Sequence, residues 1–245
     1  KLVNEMSNKL DDIYKTENSG MSIFTNPTLK WFDPANGIGN FAIVAFYKLM
    51  NGLKTVIPND QERKKHILEN MIYTSELNPS NNYVYKMIMN ANGQYKLNIN
   101  EGDSLKLDVK EKWGFDKFDV VMGNPPYNKG GIRSHTGKQL GEKNETIWTK
   151  FIEIAFKWLK PDGYLAYINP LSWLKKSHSL HNTMLEKHII WMKLWDNSQS
   201  KGMINADIPI SLYVLQNSLN IDKKKTEITS ILKRRNLTTT SNEYL

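Results

Sequence analysis

The sequence predicts an α/β fold, with a mostly parallel, doubly wound sheet and helices on both faces. Three observations across its 245 residues predict it. The first is a strand, a glycine-rich turn and a helix in immediate succession, Trp31-Phe32-Asp33-Pro34-Ala35-Asn36-Gly37-Ile38-Gly39-Asn40-Phe41. The second is an apolar strand over Phe118–Met122 that runs into Asn124-Pro125-Pro126-Tyr127, about 85 residues past the glycines. The third is the alternation of short apolar runs with segments of helical length, the pattern of a parallel sheet covered on both sides.

Each element has its own local reason. A helix is predicted over Val3–Ile13, followed by a polar loop through Ser19-Gly20 and a strand near Leu29–Asp33. The apolar run Phe41–Leu49 has helical length, and Asp60–Asn70 reads as an extra helix before the strand Met71–Glu76. Asn78-Pro79 breaks the chain ahead of a helix over Asn81–Met89, and Tyr95–Ile99 is the next strand. After Phe118–Met122, a helix over Glu145–Leu159 stops at Lys160-Pro161-Asp162-Gly163, a proline and glycine stop signal. The remaining strands are Tyr164–Ile168, Ile189–Trp195 and Ile208–Leu215. No internal repeat is visible.

The two punctuated turns carry the chemistry. Strand, Gly-x-Gly and helix in that order form a ligand-binding turn of an open α/β sheet, where backbone approaches a ligand too closely for a Cβ. Asn124-Pro125-Pro126-Tyr127 sets an amide oxygen, a proline-stiffened carbonyl and an aromatic face side by side. Such a group holds a flat ring bearing an exocyclic amine: two acceptors meet its N–H bonds, and the ring face is stacked upon. Either motif alone is also ordinary loop punctuation; the pair in this order is specific.

Composition narrows the classes. A chain 40% hydrophobic buries one substantial core, and a formal net charge of +8 suits a polyanionic partner. With no cysteine, disulfides, thiolate zinc sites and cysteine catalysis are excluded. No apolar run approaches the ~20 residues of a membrane span, so a cytoplasmic, nucleoid-associated location is expected. His178, His181 and His188 bring no acid or thiol cluster with them and read as surface or DNA-proximal rather than as metal ligands; no metal site is expected.

Asp33-Pro34-Ala35-Asn36-Gly37-Ile38-Gly39-Asn40-Phe41 together with Asn124-Pro125-Pro126-Tyr127 resembles the S-adenosylmethionine-dependent N6-adenine DNA methyltransferases of restriction-modification systems, over roughly Phe32–Asn217. The resemblance implies the class I methyltransferase, Rossmann-like fold. It also implies S-adenosylmethionine as cofactor and double-stranded DNA with a flipped adenine as substrate, with a specificity or restriction subunit, or a missing domain, as further partner. Asn124, Pro125, Pro126 and Tyr127 would be catalytic. Asp33, Pro34, Ala35, Gly37, Gly39, Phe41 and Asn124 would line the cofactor, with Glu76 on the ribose hydroxyls and Asp103, with Ser104, at the cofactor adenine; Asp108 is the rival to Asp103. Glu76 lies further past the glycines than the ~20 residues of a dinucleotide fold, because of the extra helix.

The stretch Asn128–Thr146 is polar and begins at the base-binding tyrosine. Lys129, Arg133, Lys138 and Lys143 within it, with Lys175 and Lys176, are expected to contact phosphates; a plain surface loop is the alternative. Asn169-Pro170-Leu171-Ser172 repeats an Asn-Pro pair without the second proline and aromatic, and reads as the edge of the cleft. Residues 1–217 are expected to form the catalytic domain and 218–245, with its Lys and Arg clusters, a basic extension or the start of a target-recognition region. The chain starts at Lys1 without the family's Phe-x-x-Pro element, so a piece of a longer protein is expected. Methylation of a protein glutamine or of RNA, and a non-catalytic subunit that binds nucleic acid, stay open as alternatives. Asp33-Pro34 favours DNA over the glutamine enzymes.

Overall fold

The computed structural model describes residues 1–128, 146–219, 225–234 and 237–244, from residue 230 onward by the backbone. One nine-stranded sheet runs in the order β3 (Asn98–Asn100), β2 (Ile72–Ser75), β1 (Trp31–Asp33), β4 (Phe118–Gly123), β5 (Leu159–Pro170), β7 (Ile210–Leu219), β6 (Lys187–Trp195), β8 (Glu227–Arg234) and β9 (Leu237–Tyr244). β3, β2, β1, β4 and β5 are mutually parallel, and β7 is antiparallel to both β5 and β6. This is the mostly parallel, doubly wound sheet that the sequence predicts. From β1 the chain winds outward to β3 and then returns to β4 on the other side of β1. The order therefore reverses between β1 and β4, and a crevice opens at their carboxyl ends.

Helices cover both faces. α1 (Leu2–Glu17), α2 (Asn40–Gly52), α3 (Asp60–His66) and α4 (Pro79–Asn90) lie on one, where Leu10, Leu49 and Tyr85 share a core with Trp31, Val120, Ala166 and Val214. α5 (Val109–Trp113), α6 (Trp148–Trp158) and α7 (His181–Leu185) lie on the other, with Phe151, Ile152 and Met184 against Phe32, Val121, Tyr167 and Tyr213. Alternate residues of β5 and β7 thus serve opposite cores, which is why these strands read as unbroken apolar runs. α8 (Asn197–Ile204) links β6 to β7.

Departures from the predicted elements have local causes. β3 starts at Asn98 rather than Tyr95, because Asn90 grips the Tyr95 backbone from both sides: its Nδ2 donates to the Tyr95 carbonyl (2.7 Å) and its Oδ1 accepts from the Tyr95 N–H (3.1 Å). α5 and α8 have little apolar periodicity and start from caps. Asp108 accepts from Glu111 N, and Asp196 and Gln199 form a capping box.

The boundary expected at residue 217 falls inside β7. Residues 227–234 do not hang from the sheet as a basic extension; they join it as β8, parallel to β6. Thr226 Oγ1 donates to the Ile189 carbonyl (2.6 Å), and Lys9 Nζ meets Glu227 Oε2 (2.6 Å). Among the described residues no helix is long and apolar enough to cross a membrane.

Candidate active site

Four strand ends meet along the carboxyl edge of the sheet, in the order β4, β1, β2, β3. Backbone bonds lace the last three together: Asn36 N–H donates to the Ser75 carbonyl (3.1 Å) and Glu76 N–H to the Asn100 carbonyl (3.0 Å). The sequence motifs, remote along the chain, are therefore neighbours.

The glycine turn is held from below by acids. Asp33 is buried, and its Oδ1 accepts from Ala35 N–H (3.0 Å) while Oδ2 has no partner. Burial pushes its carboxyl up to about 8, the Ala35 N–H opposes the rise, and the nearby Glu76 charge adds to it. At neutral pH Asp33 therefore carries its proton for much of the time.

Glu76 clasps the turn, its Oε2 accepting from Gly37 N–H and its Oε1 from Asn78 N–H, each at 2.7 Å. Ser104 is buried, with Oγ 2.5 Å from the Pro34 carbonyl and 2.6 Å from Ser75 Oγ. Ser104, expected at the cofactor, ties the end of β2 to the first motif through its hydroxyl. The Pro34 carbonyl is thereby engaged as well.

The glycines serve different ends. Gly37 has φ +55 with open space where a Cβ would stand, whereas at Gly39 (φ +102) a Cβ would lie 2.4 Å from Tyr85 Cδ2. Gly39 is thus required by the packing of α4, and the ligand-approach argument of the sequence applies to Gly37. Gly123 carries no signal of its own in the sequence. A Cβ there would lie 2.8 Å from Asp33 Oδ1, so a glycine before Asn124 is what lets the two motifs close on each other.

A cavity of about 550 Å³ opens at this edge, lined by Ala35, Asn36, Gly37, Phe41 and Asn124, by Ile168 of β5, by Met203 and Ile204 of α8, and by the first residues of α1. The structure thus brings Ala35, Gly37, Phe41 and Asn124 together, with Asp33 beneath them. Asn36 is 4% exposed, yet neither Oδ1 nor Nδ2 has a partner. Leaving each such group unmet costs about 1–3 kcal/mol. Asn36, Met203 and Ile204 escaped the sequence reading; α8 carries no motif, and Asn36 sits unremarked inside one. Asp103 borders a separate cavity of about 470 Å³ with Asn100, Lys106 and Asp108, and its Oδ1 accepts from Leu105 N–H. Asp108 is turned to capping α5.

Asn124 and Pro126 are exposed, Pro125 is buried and Tyr127 is half-buried between the two cores. The Tyr127 hydroxyl donates to Asn124 Oδ1 (3.2 Å), and burial raises the phenol well above its ordinary value. The Tyr127 carbonyl accepts from Ile147 N–H (3.1 Å), and Asn128 pairs with Thr146. Lys129, Arg133, Lys138 and Lys143 lie outside the described residues. Lys175 and Lys176 are exposed just past the carboxyl end of β5.

The histidines have structural uses. His178 stacks on Trp148 (5.3 Å between centroids), and burial with the nearby His181 and Lys175 lowers its pKa. His188, expected at the surface, is buried in β6 because it lies on an inner strand. Among the described residues no three His, Asp or Glu side chains gather as a metal site. Asn169, expected at the cleft edge, is fully buried and accepts from the Tyr213 hydroxyl (2.6 Å).

Residues 44–201 match the model of the Eco57I restriction-modification methylase family. The chain is 21% identical to an uncharacterized adenine-specific methylase of Mycoplasma pneumoniae, over 73% of this chain and 56% of that protein. It thus spans little more than half of that relative's length. Its fold matches a modification subunit of a putative type I restriction enzyme from Vibrio vulnificus (TM-score 0.62, 17% identity, 96% of this chain and 52% of that one). It also matches a nuclease-deletion mutant of the type ISP restriction-modification enzyme LlaGI in complex with a DNA substrate mimic (TM-score 0.67, 15% identity, 94% and 23%). The fold is that of the class I methyltransferases, and, by a family match over more than half its length and by both motifs at the reversal of its sheet, the chain belongs to the Eco57I restriction-modification methylase family.

Proposed function

We propose that this chain is the catalytic part of a site-specific DNA adenine-N6 methyltransferase of a restriction-modification system, acting from the nucleoid-bearing cytoplasm. The observation that carries the reading is the exposed amide of Asn124 at the wall of the cavity formed by the glycine turn, with the Tyr127 ring beside it. Residues 1–217 supply this site, and target recognition lies in other parts of the protein or in a partner subunit.

The residues present fit S-adenosylmethionine. The open space over Gly37 admits a ligand against the backbone, and the unpaired Asn36 amide sits in the same wall. Ala35, Asn36, Gly37 and Phe41 would hold the cofactor's amino-acid end, with Glu76 and Asp103 further along the edge at its ribose and adenine. The bound cofactor supplies an activated methyl group.

Asn124 Oδ1 and the Pro125 carbonyl accept the two amino hydrogens of an extruded adenine. This draws the nitrogen away from planarity and frees its lone pair for attack. Prolines 125 and 126 hold the carbonyl in aim, and the Tyr127 face stacks on the base, a contact worth about 1–3 kcal/mol. The methylated nitrogen is cationic and acidic, and it releases its surplus proton to solvent water without a tuned base. Exposed Lys175 and Lys176 at the same edge suit a phosphate backbone better than a protein amide.

The test is incubation of the protein with methyl-labelled cofactor and, separately, DNA, RNA or a release factor. Label in N6-methyladenine of DNA is expected; label only in RNA, cytosine or glutamine would overturn the reading.

A further inference from the structure

α4 is apolar on both of its sides. Asn82, Tyr85 and Met89 form its buried inner stripe, and on the opposite side, at about 100° per residue, stand Ser80, Tyr83, Val84, Met87, Ile88 and, at the C-cap, Ala91, all exposed. The four large ones keep from 38% (Val84) to 66% (Tyr83) of their surface in water. A helix of this kind belongs between two layers, yet among the described residues α4 is covered on one side only.

Charge says what kind of surface suits the outer stripe. Lys86 is the one charged residue of α4, in a chain that is 24% charged, and it is tied to Glu101. Nucleic acid finds no cation here, whereas a second copy of a chain of net charge +8 can approach this stripe without meeting its own charge.

The order of residues along the stripe is that of a surface made to meet itself. Ser80 and Ala91, Tyr83 and Ile88, and Val84 and Met87 each lie equally far from one midpoint, so a two-fold axis there sets every member level with another across an antiparallel pair of helices. The large side chains meet at the centre and the small ones at the ends. Six such residues make a patch of about 300–600 Å², and two patches together reach about the 1,000 Å² that a specific interface must clear.

We infer that two copies of this chain associate reversibly through α4, packed antiparallel across that axis. None of the six residues lines the cavity at the carboxyl edge of the sheet, so the inference stands apart from the reaction catalysed there.

Sedimentation velocity from micromolar to submillimolar protein should show the monomer giving way to a dimer. Val84→Glu and Met87→Lys, which place opposite charges at facing positions, should each weaken self-association at least tenfold, and mixing the two variants should restore a dimer. Both side chains are exposed, and circular dichroism melts establish that each variant is folded. The absence of cysteine from the chain permits a second measurement in an otherwise unaltered protein. Ser80→Cys mixed with Ala91→Cys should form an intermolecular disulfide on mild oxidation. Ser80→Cys alone should not, because its two copies would stand about 16 Å apart along the pair of helices, beyond the reach of a disulfide. A wild-type protein that stays monomeric, a dimer indifferent to both charge changes, charge variants that separate without recombining, or a cross-link in Ser80→Cys alone as readily as in the mixture would each overturn the inference.

Discussion

The Tyr127 hydroxyl donates to Asn124 Oδ1 at 3.2 Å, so the acceptor proposed to meet the adenine amino group is already held by the residue proposed to stack on the ring. The tyrosine has two separable uses, a face for the base and a hydroxyl that aims the amide. Tyr127→Phe should keep the face and free the amide, reducing the single-turnover rate on target DNA less than tenfold. Asn124→Ala should remove most of it, since loss of one preorganised partner typically costs about 2.7–4 kcal/mol. Tyr127→Ala should abolish the fluorescence rise of 2-aminopurine at the target position. Equal rates for Asn124→Ala and wild type would refute the assignment.

Asp33 makes stability depend on pH in a definite direction. Its folded-state pKa of about 8 stands above the ordinary 3.8, so between those values the folded protein keeps a proton that the unfolded chain has lost. This contribution is fully present below pH 3.8 and is lost as pH rises through 8, by up to about 1.4 kcal/mol per unit within the window. Burial sustains the shift, the Glu76 charge adds to it and the Ala35 N–H opposes it, while Asp33 in turn raises the phenols of Tyr85 and Tyr167. Urea unfolding from pH 5 to 8 should show wild type losing stability more steeply than Asp33→Asn; parallel curves would contradict the burial argument.

Gly37 and Gly39 should respond differently to alanine. Gly39→Ala drives a Cβ into the Tyr85 ring at a left-handed position and should lower stability by about 1–3 kcal/mol. Gly37→Ala meets open space, so it should lose only the ~1–2 kcal/mol of a left-handed alanine, with no clash added, while cofactor affinity falls. Thermal melts paired with calorimetry distinguish the two; intact cofactor affinity in a folded Gly37→Ala protein would remove this turn from the site.

Lys175 and Lys176 are predicted to lie against phosphates. Each lost contact should flatten the log-log salt dependence of DNA binding by about 0.9. Fluorescence anisotropy from low to moderate salt reads the slope for the double alanine variant, and an unchanged slope would make this edge plain surface.

The fold was legible because its signals are local and repeated. Phe118–Met122, Tyr164–Ile168 and Ile189–Trp195 are strands buried on both faces, and the glycine turn fixes where the sheet reverses. The floor of the site was not legible. Ser104 is expected at the cofactor, and only the placing of Pro34, 70 residues away in sequence, above it reveals its bond to that carbonyl; Gly123 looks incidental until Asp33 is seen beneath its missing Cβ. Asn36 stands inside the motif that was read, but that its amide has no partner is a fact of three dimensions. β8 escaped for a different reason: Glu227–Arg234 mixes polar and apolar residues and ends in Lys233 and Arg234, so beside the neighbouring lysines it reads as a basic tail although it pairs with β6 on one side and β9 on the other.

Asn128 and Thr146 pair, and Tyr127 and Ile147 share a backbone bond, so among the described residues the segment that follows β4 is clasped to the start of α6. Because loop closure grows only slowly more costly with length, a longer or shorter connection between positions 128 and 146 should cost the fold little, the clasp being held by β4 on one side and α6 on the other.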